Sequence, residues 1–141
     1  MPTRAAVPAL AGELAIVIGR LVRRLRAEGG FGLTHGAVLG RLHREGPLST
    51  AELAAAERVR SQSMGQTLAE LEAQSLISRR PDPADGRRVL IELTPLGHEA
   101  VAEGRARRTG WLAAAIERDL SPEEQRALEA ALPLLTRLAE R

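Results

Sequence analysis

The 141 residues predict a mainly helical fold with one small β-hairpin, an α+β class, on three observations. Apolar residues recur at three- and four-residue steps through most of the chain, the mark of amphipathic helices. One stretch departs from that pattern: residues 81–97, PDPADGRRVLIELTPLG, read as a turn-rich basic loop, a short strand and a capped helix start. Finally, 44% of the chain is hydrophobic, yet Phe31 and Trp111 are its only aromatic residues. A core made of Leu, Ala, Val and Ile suits packed helices better than a β-sandwich. The length fits one domain, or one domain with a dimerisation extension.

The elements follow in order. Val7, Leu10, Leu14, Val17, Ile18, Leu21, Val22 and Leu25 form the apolar stripe of a first helix that ends near Gly29 and Gly30. A second helix is expected from Leu33 and Thr34, with Thr34 as N-cap, Val38, Leu39 and Leu42 as its stripe, and Gly46 and Pro47 as its stop. Ser49, Thr50, Ala51 and Glu52 make a capping box that opens a short helix through Leu53 and Ala56. After a turn at 57–60, a further helix spans about 61–74.

Residues 76–80 and 89–93 then bracket a hairpin whose tip holds the turn formers Asp82, Pro83, Asp85 and Gly86 and the pair Arg87 and Arg88. Thr94 and Pro95 supply an N-cap and first helical residue for a long helix over 95–118. Ser121, Pro122, Glu123 and Glu124 cap a last helix through Leu128, Leu132, Leu135 and Leu138. Pro133 inside that run is expected to kink or shorten it.

Charge and composition narrow the function. All 20 basic residues are arginine, and the net charge is only +2, so the isoelectric point near 10.7 mainly reflects arginine itself. Residues 1–60 carry nine arginines against five acids, while the rest of the chain is slightly acidic. Any anion binding must therefore come from shaped local sites, not from a basic tail. Arginine's planar fork suits phosphate and guanine, although the compositional bias of a genome accounts equally well for the missing lysines.

With no cysteine, disulfides, thiolate metal sites and thiol redox sensing are excluded. The apolar stretch 7–22 is interrupted by Glu13 and Arg20 and is too short for a span. It also lacks the layout of a signal peptide, so a cytoplasmic protein without membrane attachment is expected. His35, His43 and His98 have no metal-ligand spacing. No Gly-rich phosphate loop, nucleophile elbow or carboxylate pair stands out, so neither an enzyme nor a cofactor is expected.

Two short helices joined by a tight turn and followed by a hairpin constitute a winged helix-turn-helix, whose second helix is the one expected to enter the major groove of double-stranded DNA. At about 100° per residue, Met64, Leu68 and Leu71 share one face and must be buried. Gln62, Gln66 and Ala69 lie opposite, with Ser63 and Glu70 at one edge. Glutamine can bond adenine bidentately and serine can bond base or phosphate; an ordinary solvated face would look the same. Gly65 costs roughly 1 kcal/mol in a helix but clears space where a DNA backbone or another helix could approach.

That helix carries no basic residue, so phosphate contacts are assigned to Arg58 and Arg60 before it and to Arg79 and Arg80 after it, with Ser61 at its first turn. Arg87 or Arg88 could enter a narrow minor groove, with Asp85 pairing one of them to fix the loop. A solvated charged turn is the competing reading of that tip.

The segment Asp85-Gly86-Arg87-Arg88, followed by Leu93-Thr94-Pro95-Leu96-Gly97, resembles the wing signature of MarR-type bacterial transcriptional regulators. Leu33, Thr34, Leu39 and Leu42, and then Leu68, Leu71, Glu72, Leu76 and Ile77, match the family's helix spacings. The resemblance covers essentially the whole chain. It implies an obligate homodimer with interleaved N- and C-terminal helices, each subunit reading one half of a palindromic operator. It also makes Arg87 the minor-groove arginine and Asp85 its orienting partner. Ser75 departs from the family's usual glycine, and a serine there meets a cost in a left-handed cap, so a different turn is anticipated.

The expected organisation is an N-terminal dimerisation helix over 1–32, a DNA-binding winged helix-turn-helix over 33–94 and C-terminal dimerisation helices over 95–141, together one compact unit. The apolar stripes 7–25 and 120–138 favour a symmetric dimer independently, since the small winged part cannot easily cover both. Trp111 is the candidate for lining the pocket of a small-molecule effector, with simple core packing as its other use. Arg105, Arg107 and Arg108 form a basic cluster that could touch DNA or an anionic effector, with a solvated helix face as the favoured reading. The reading that results is a homodimeric DNA-binding regulator, a repressor released by an effector. A winged-helix module for protein–protein contact is the alternative.

Overall fold

A computed structural model describes residues 6–141. The first five residues of the expected N-terminal segment 1–32 lie outside it. The elements are α1 (Val7–Glu28), α2 (Leu33–Glu45), β1 (Leu48–Ser49), α3 (Thr50–Ala56), α4 (Ser61–Ala73), β2 (Ile77–Pro81), β3 (Val89–Leu93), α5 (Pro95–Asp119) and α6 (Pro122–Ala139). Two compact units divide at Arg108 and Thr109, within α5.

The first unit holds a core of Val38, Leu39 and Leu42 from α2, Leu53 and Ala54 from α3, and Met64, Leu68 and Leu71 from α4. Leu76, Ile77, Ile91 and Leu93 from the hairpin and its base, with Val101 from α5, close it. These are the stripes expected for α2 and α4. The core is aliphatic apart from Met64, with Phe31 packed at its edge.

The strands form a three-stranded antiparallel sheet in the order β1-β3-β2. Two-residue β1 pairs Leu48 with Ile91 and Ser49 with Leu90. On the other side β2 pairs with β3 from Ile77↔Leu93 to Pro81↔Val89. Pro81 ends an edge strand, where its missing N–H breaks no ladder.

Caps explain most boundaries. Ser49 accepts from the Glu52 N–H and the Glu52 carboxylate accepts from the Ser49 N–H, a complete capping box. Ser121 and Glu124 repeat it at α6 in the second unit. For α2 the expectation is corrected: Gly32, in an extended conformation, is the N-cap, and Thr34 already lies inside the helix. After Gly30, at φ 84°, the chain has turned early enough for Gly36 to bond the Gly32 carbonyl.

Pro133 does not shorten α6, which continues to Ala139. An exposed helix can lose one backbone bond there to water. No described helix is long and apolar enough to cross a membrane.

α1 buries none of its 22 residues. Leu10, Val17, Ile18 and Leu21 are 44–58% exposed, an apolar stripe without cover. In the second unit α6 also buries none, and Leu132, Leu134 and Leu138 stand exposed.

Candidate nucleic-acid interface

The interface is built on α4. Met64, Leu68 and Leu71 are wholly buried, which turns Ser61, Gln62, Ser63, Gln66, Ala69 and Glu70 outward. The sequence-derived face is therefore the observed one. Arg60 is the N-cap and gives no side-chain cap, so first-turn N–H groups of α4 remain open to an outside acceptor.

Two left-handed caps frame this helix. The Val59 N–H bonds the Ala54 carbonyl and the Arg58 N–H bonds that of Ala55, a Schellman motif with Arg58 at φ 55°. At the other end Leu76 bonds Leu71 and Ser75 bonds Glu72, with Ser75 at φ 61°. The anticipated change of turn at Ser75 is thus corrected: the left-handed cap is kept with serine in glycine's place. The two hydrogen bonds and the burial of Leu76 over-determine the conformation.

The wing tip is closed by its own backbone and two aspartates. The Asp82 N–H donates to the Arg88 carbonyl at 2.8 Å, and the Arg88 N–H to the Asp85 carbonyl at 3.0 Å. Asp82 accepts from the Ala84 N–H, and Asp85 from the Arg87 N–H at 3.1 Å. Asp85 thus fixes the loop through the backbone of Arg87, leaving the guanidinium to project.

The arginines fall into two groups. Arg79 pairs with Glu72 at 3.0 Å and Arg80 with Glu92 at 3.1 Å. Arg88 pairs with Glu52 of α3 and reaches Asp82 at 3.9 Å. Among the described residues, Arg58, Arg60 and Arg87 pair with no carboxylate. They flank α4 along the chain, Arg58 and Arg60 just before it and Arg87 at the tip of the hairpin that follows.

Side-chain ties that the sequence did not reveal hold the helix pair in place. Arg41 of α2 donates to Glu57 at the end of α3 and to Glu45, both at 2.8 Å. These bonds, Glu57 first, hold the guanidinium above its ordinary pKa. His35 meets Glu70 of α4 at 2.6 Å, and His43 and His98 meet ring to ring through Nδ1 at 3.2 Å. Apart from the i,i+4 pair Arg41–Glu45, the partners lie 16 to 55 residues apart, beyond the reach of periodicity or spacing arguments.

A cavity of about 360 Å³ lies among α1, α2 and the first unit's end of α5. Val22, Leu25, Phe31 and Leu33 give it an apolar wall, and Arg26, Arg41, Arg44 and Arg108 surround it with Glu57. Trp111 belongs to the second unit and is not among these lining residues. Arg107 is used structurally, donating to the Gly29 carbonyl at 3.0 Å. No described group of three metal-ligating side chains converges.

A helix pair, a wing and an uncapped second helix define a winged helix-turn-helix protein of the kind that regulates transcription. A model of the MarR family matches residues 30–88. An HTH-type transcriptional regulator of Mycobacterium tuberculosis is 34% identical over 134 residues, 93% of each chain. A transcriptional regulator structure from Pseudomonas aeruginosa superimposes with a TM-score of 0.84 at 36% identity, over 96% of this chain and 98% of that one. The chain belongs to the MarR family of transcriptional regulators, which are not enzymes. The fold is shared as well with a mutant of Staphylococcus aureus MepR bound to an oligodeoxyribonucleotide, at a TM-score of 0.68 and 23% identity, covering 92% of this chain and 97% of that one.

Proposed function

We propose that this regulator binds double-stranded DNA sequence-specifically as a homodimer and represses until an effector releases it. One observation carries the reading: α4 turns Gln62, Ser63 and Gln66 outward, and the arginines without a carboxylate partner, Arg58 and Arg60 just before it and Arg87 at the wing tip, flank it along the chain. Glutamines and serines supply base-edge bonds, and the arginines supply the phosphate and minor-groove attraction that α4 lacks. MepR, which shares the fold, is seen with DNA.

The dimer reading rests on the uncovered apolar stripe of α1 and, separately, on that of α6. A second copy supplies the cover, and a twofold pair would set two α4 helices about 34–36 Å apart on a palindrome. In this reading 1–32 and 95–141 serve dimerisation and 33–94 serves DNA, in the cytoplasm.

The cavity beside α1 suits an effector with an apolar body and an anionic group. Such a group competes for Arg41, which otherwise ties Glu57 next to the left-handed turn at Arg58. The experiment is selection of a duplex from a randomised pool, followed by titration at several salt concentrations. Expected is a selected inverted repeat whose binding falls steeply with salt. Selection of no sequence, with a stable dimer present, shifts the assignment to a protein–protein module.

A further inference from the structure

We propose that Arg88 is a positioning residue and not a DNA contact: held by Glu52 and Asp82, it sets the angle at which the wing presents Arg87. This inference rests on the DNA-binding reading above.

The sheet shows why a clamp is needed there. β1 supports β3 only as far as Leu90, which faces Ser49. On the other side, support from β2 ends at the Pro81↔Val89 pair. Arg88 is the first residue beyond both. Its side chain reaches back to Glu52 in the first turn of α3 and to Asp82 across the tip. An ion pair thus continues the contact that β1 abandons.

Glu52 is itself fixed, because its carboxylate also accepts from the Ser49 N–H in the capping box. The Arg88 backbone is bonded on both sides, to Asp82 and Asp85. Its neighbour Arg87 has only its backbone amide held and keeps a free guanidinium. Moving Arg88 onto a phosphate would leave two carboxylates, Glu52 and Asp82, facing the DNA without a counter-charge. Two adjacent arginines therefore have different tasks, one to hold and one to reach.

The test uses Glu52→Gln, whose amide oxygen can still accept from the Ser49 N–H and so preserves the capping box. Simple electrostatics says that removing a carboxylate beside DNA tightens binding to every sequence. The clamp gives the opposite sign on the duplex selected by the wild-type protein. There, the affinity of the full-length variant should fall roughly fivefold, near the limit for an exposed ion pair, while affinity for a random duplex holds or rises. Arg88→Gln should behave alike, the double variant should be no worse than either single, and the salt slope on random DNA should stay at its wild-type value. If Glu52→Gln binds the selected duplex as tightly as wild type, or Arg88→Gln lowers the slope on random DNA, Arg88 is a phosphate contact and the proposal is overturned.

A second measurement needs no DNA. Amide exchange at Asp85, Arg87 and Arg88 should accelerate several-fold in Glu52→Gln while the amides of β2 and β3 are unchanged. Unaltered exchange at the tip overturns the clamp even if the wild-type protein selects no duplex. Failure of the clamp and failure of the DNA-binding reading are thereby read separately.

Discussion

Gly97 lies against the carbonyl oxygen of Leu76 so closely that a Cβ would be driven into it. Around this contact the Thr94 N–H bonds the same Leu76 carbonyl, at 3.1 Å. The Thr94 hydroxyl donates to the Ser75 carbonyl at 2.6 Å and accepts from the Gly97 N–H at 3.0 Å. The Leu-Thr-x-x-Gly half of the wing signature is thus a joint between α5 and the end of the α4 turn. Its task is to fix the hairpin base.

Gly97→Ala should therefore destabilise the protein by about 1–3 kcal/mol, since backbone and not a flexible side chain must yield. Gly65→Ala is the contrast. Nothing lies within 4 Å of a Cβ there, and alanine in a helix interior should stabilise by roughly 1 kcal/mol. Thermal denaturation of both variants checks the opposite signs. If Gly65→Ala is more stable yet binds DNA less tightly, the open space at Gly65 is where the backbone of DNA approaches.

The two non-glycine left-handed caps give a second pair. Arg58→Gly and Ser75→Gly should each stabilise by about 0.5–1 kcal/mol, because glycine adopts φ near +60° without a Cβ penalty. Ser75→Gly should leave DNA binding unchanged. Arg58→Gly should weaken it while raising the melting temperature, trading stability against a phosphate contact. Equal DNA binding by both variants would remove Arg58 from the interface.

The pairing of the arginines ranks their effects on DNA affinity. Arg87→Ala should lower the slope of log affinity against log salt by roughly 0.9 per subunit, with fold and dimer intact. Arg79→Ala should change it much less, because the guanidinium is already matched by Glu72 at 3.0 Å. A slope equally reduced in both would mean that these surface pairs open on DNA, and the distinction drawn from them would fail.

Much of the fold was legible because it depends on short-range patterns. The buried trio Met64, Leu68 and Leu71 follows from helical periodicity, and the caps at Ser49, Thr94 and Ser121 from local hydrogen bonding. Thr34 misled because its side chain is a good cap, whereas the chain direction set at Gly30 and Gly32 decided where α2 begins. Ser75 misled because propensity forbids what two backbone hydrogen bonds impose. Which arginines are free was not legible at all. It depends on Glu52, Glu72 and Glu92, whose approach to Arg88, Arg79 and Arg80 is created only by folding.

Base reading by α4 is testable apart from phosphate attraction. Gln66 is exposed on the face opposite Met64 and Leu68, and Gln66→Ala removes one bidentate donor–acceptor pair. The expected loss is about 1–3 kcal/mol on the selected duplex, with random-sequence binding nearly unaltered and the salt slope preserved. Equal loss on both duplexes would show that Gln66 does not discriminate bases.

The apolar stripe of α1 supplies the last prediction. Ile18 and Val17 are 44% and 50% exposed, in a helix that contributes nothing to the core. In a symmetric dimer each would be buried twice, once per copy. Ile18→Asp should then raise the dimer dissociation constant by a hundredfold or more, since each isoleucine contributes roughly 1.5–3 kcal/mol when covered. Sedimentation velocity over a concentration series reads this directly, and helical content should be retained because the core of α2, α3 and α4 is untouched. Affinity for a single half-site should hold while affinity for the inverted repeat drops, since two linked α4 helices bind with a high effective concentration that separate ones lose. A variant that stays dimeric at low concentration would place the subunit contact elsewhere than on α1.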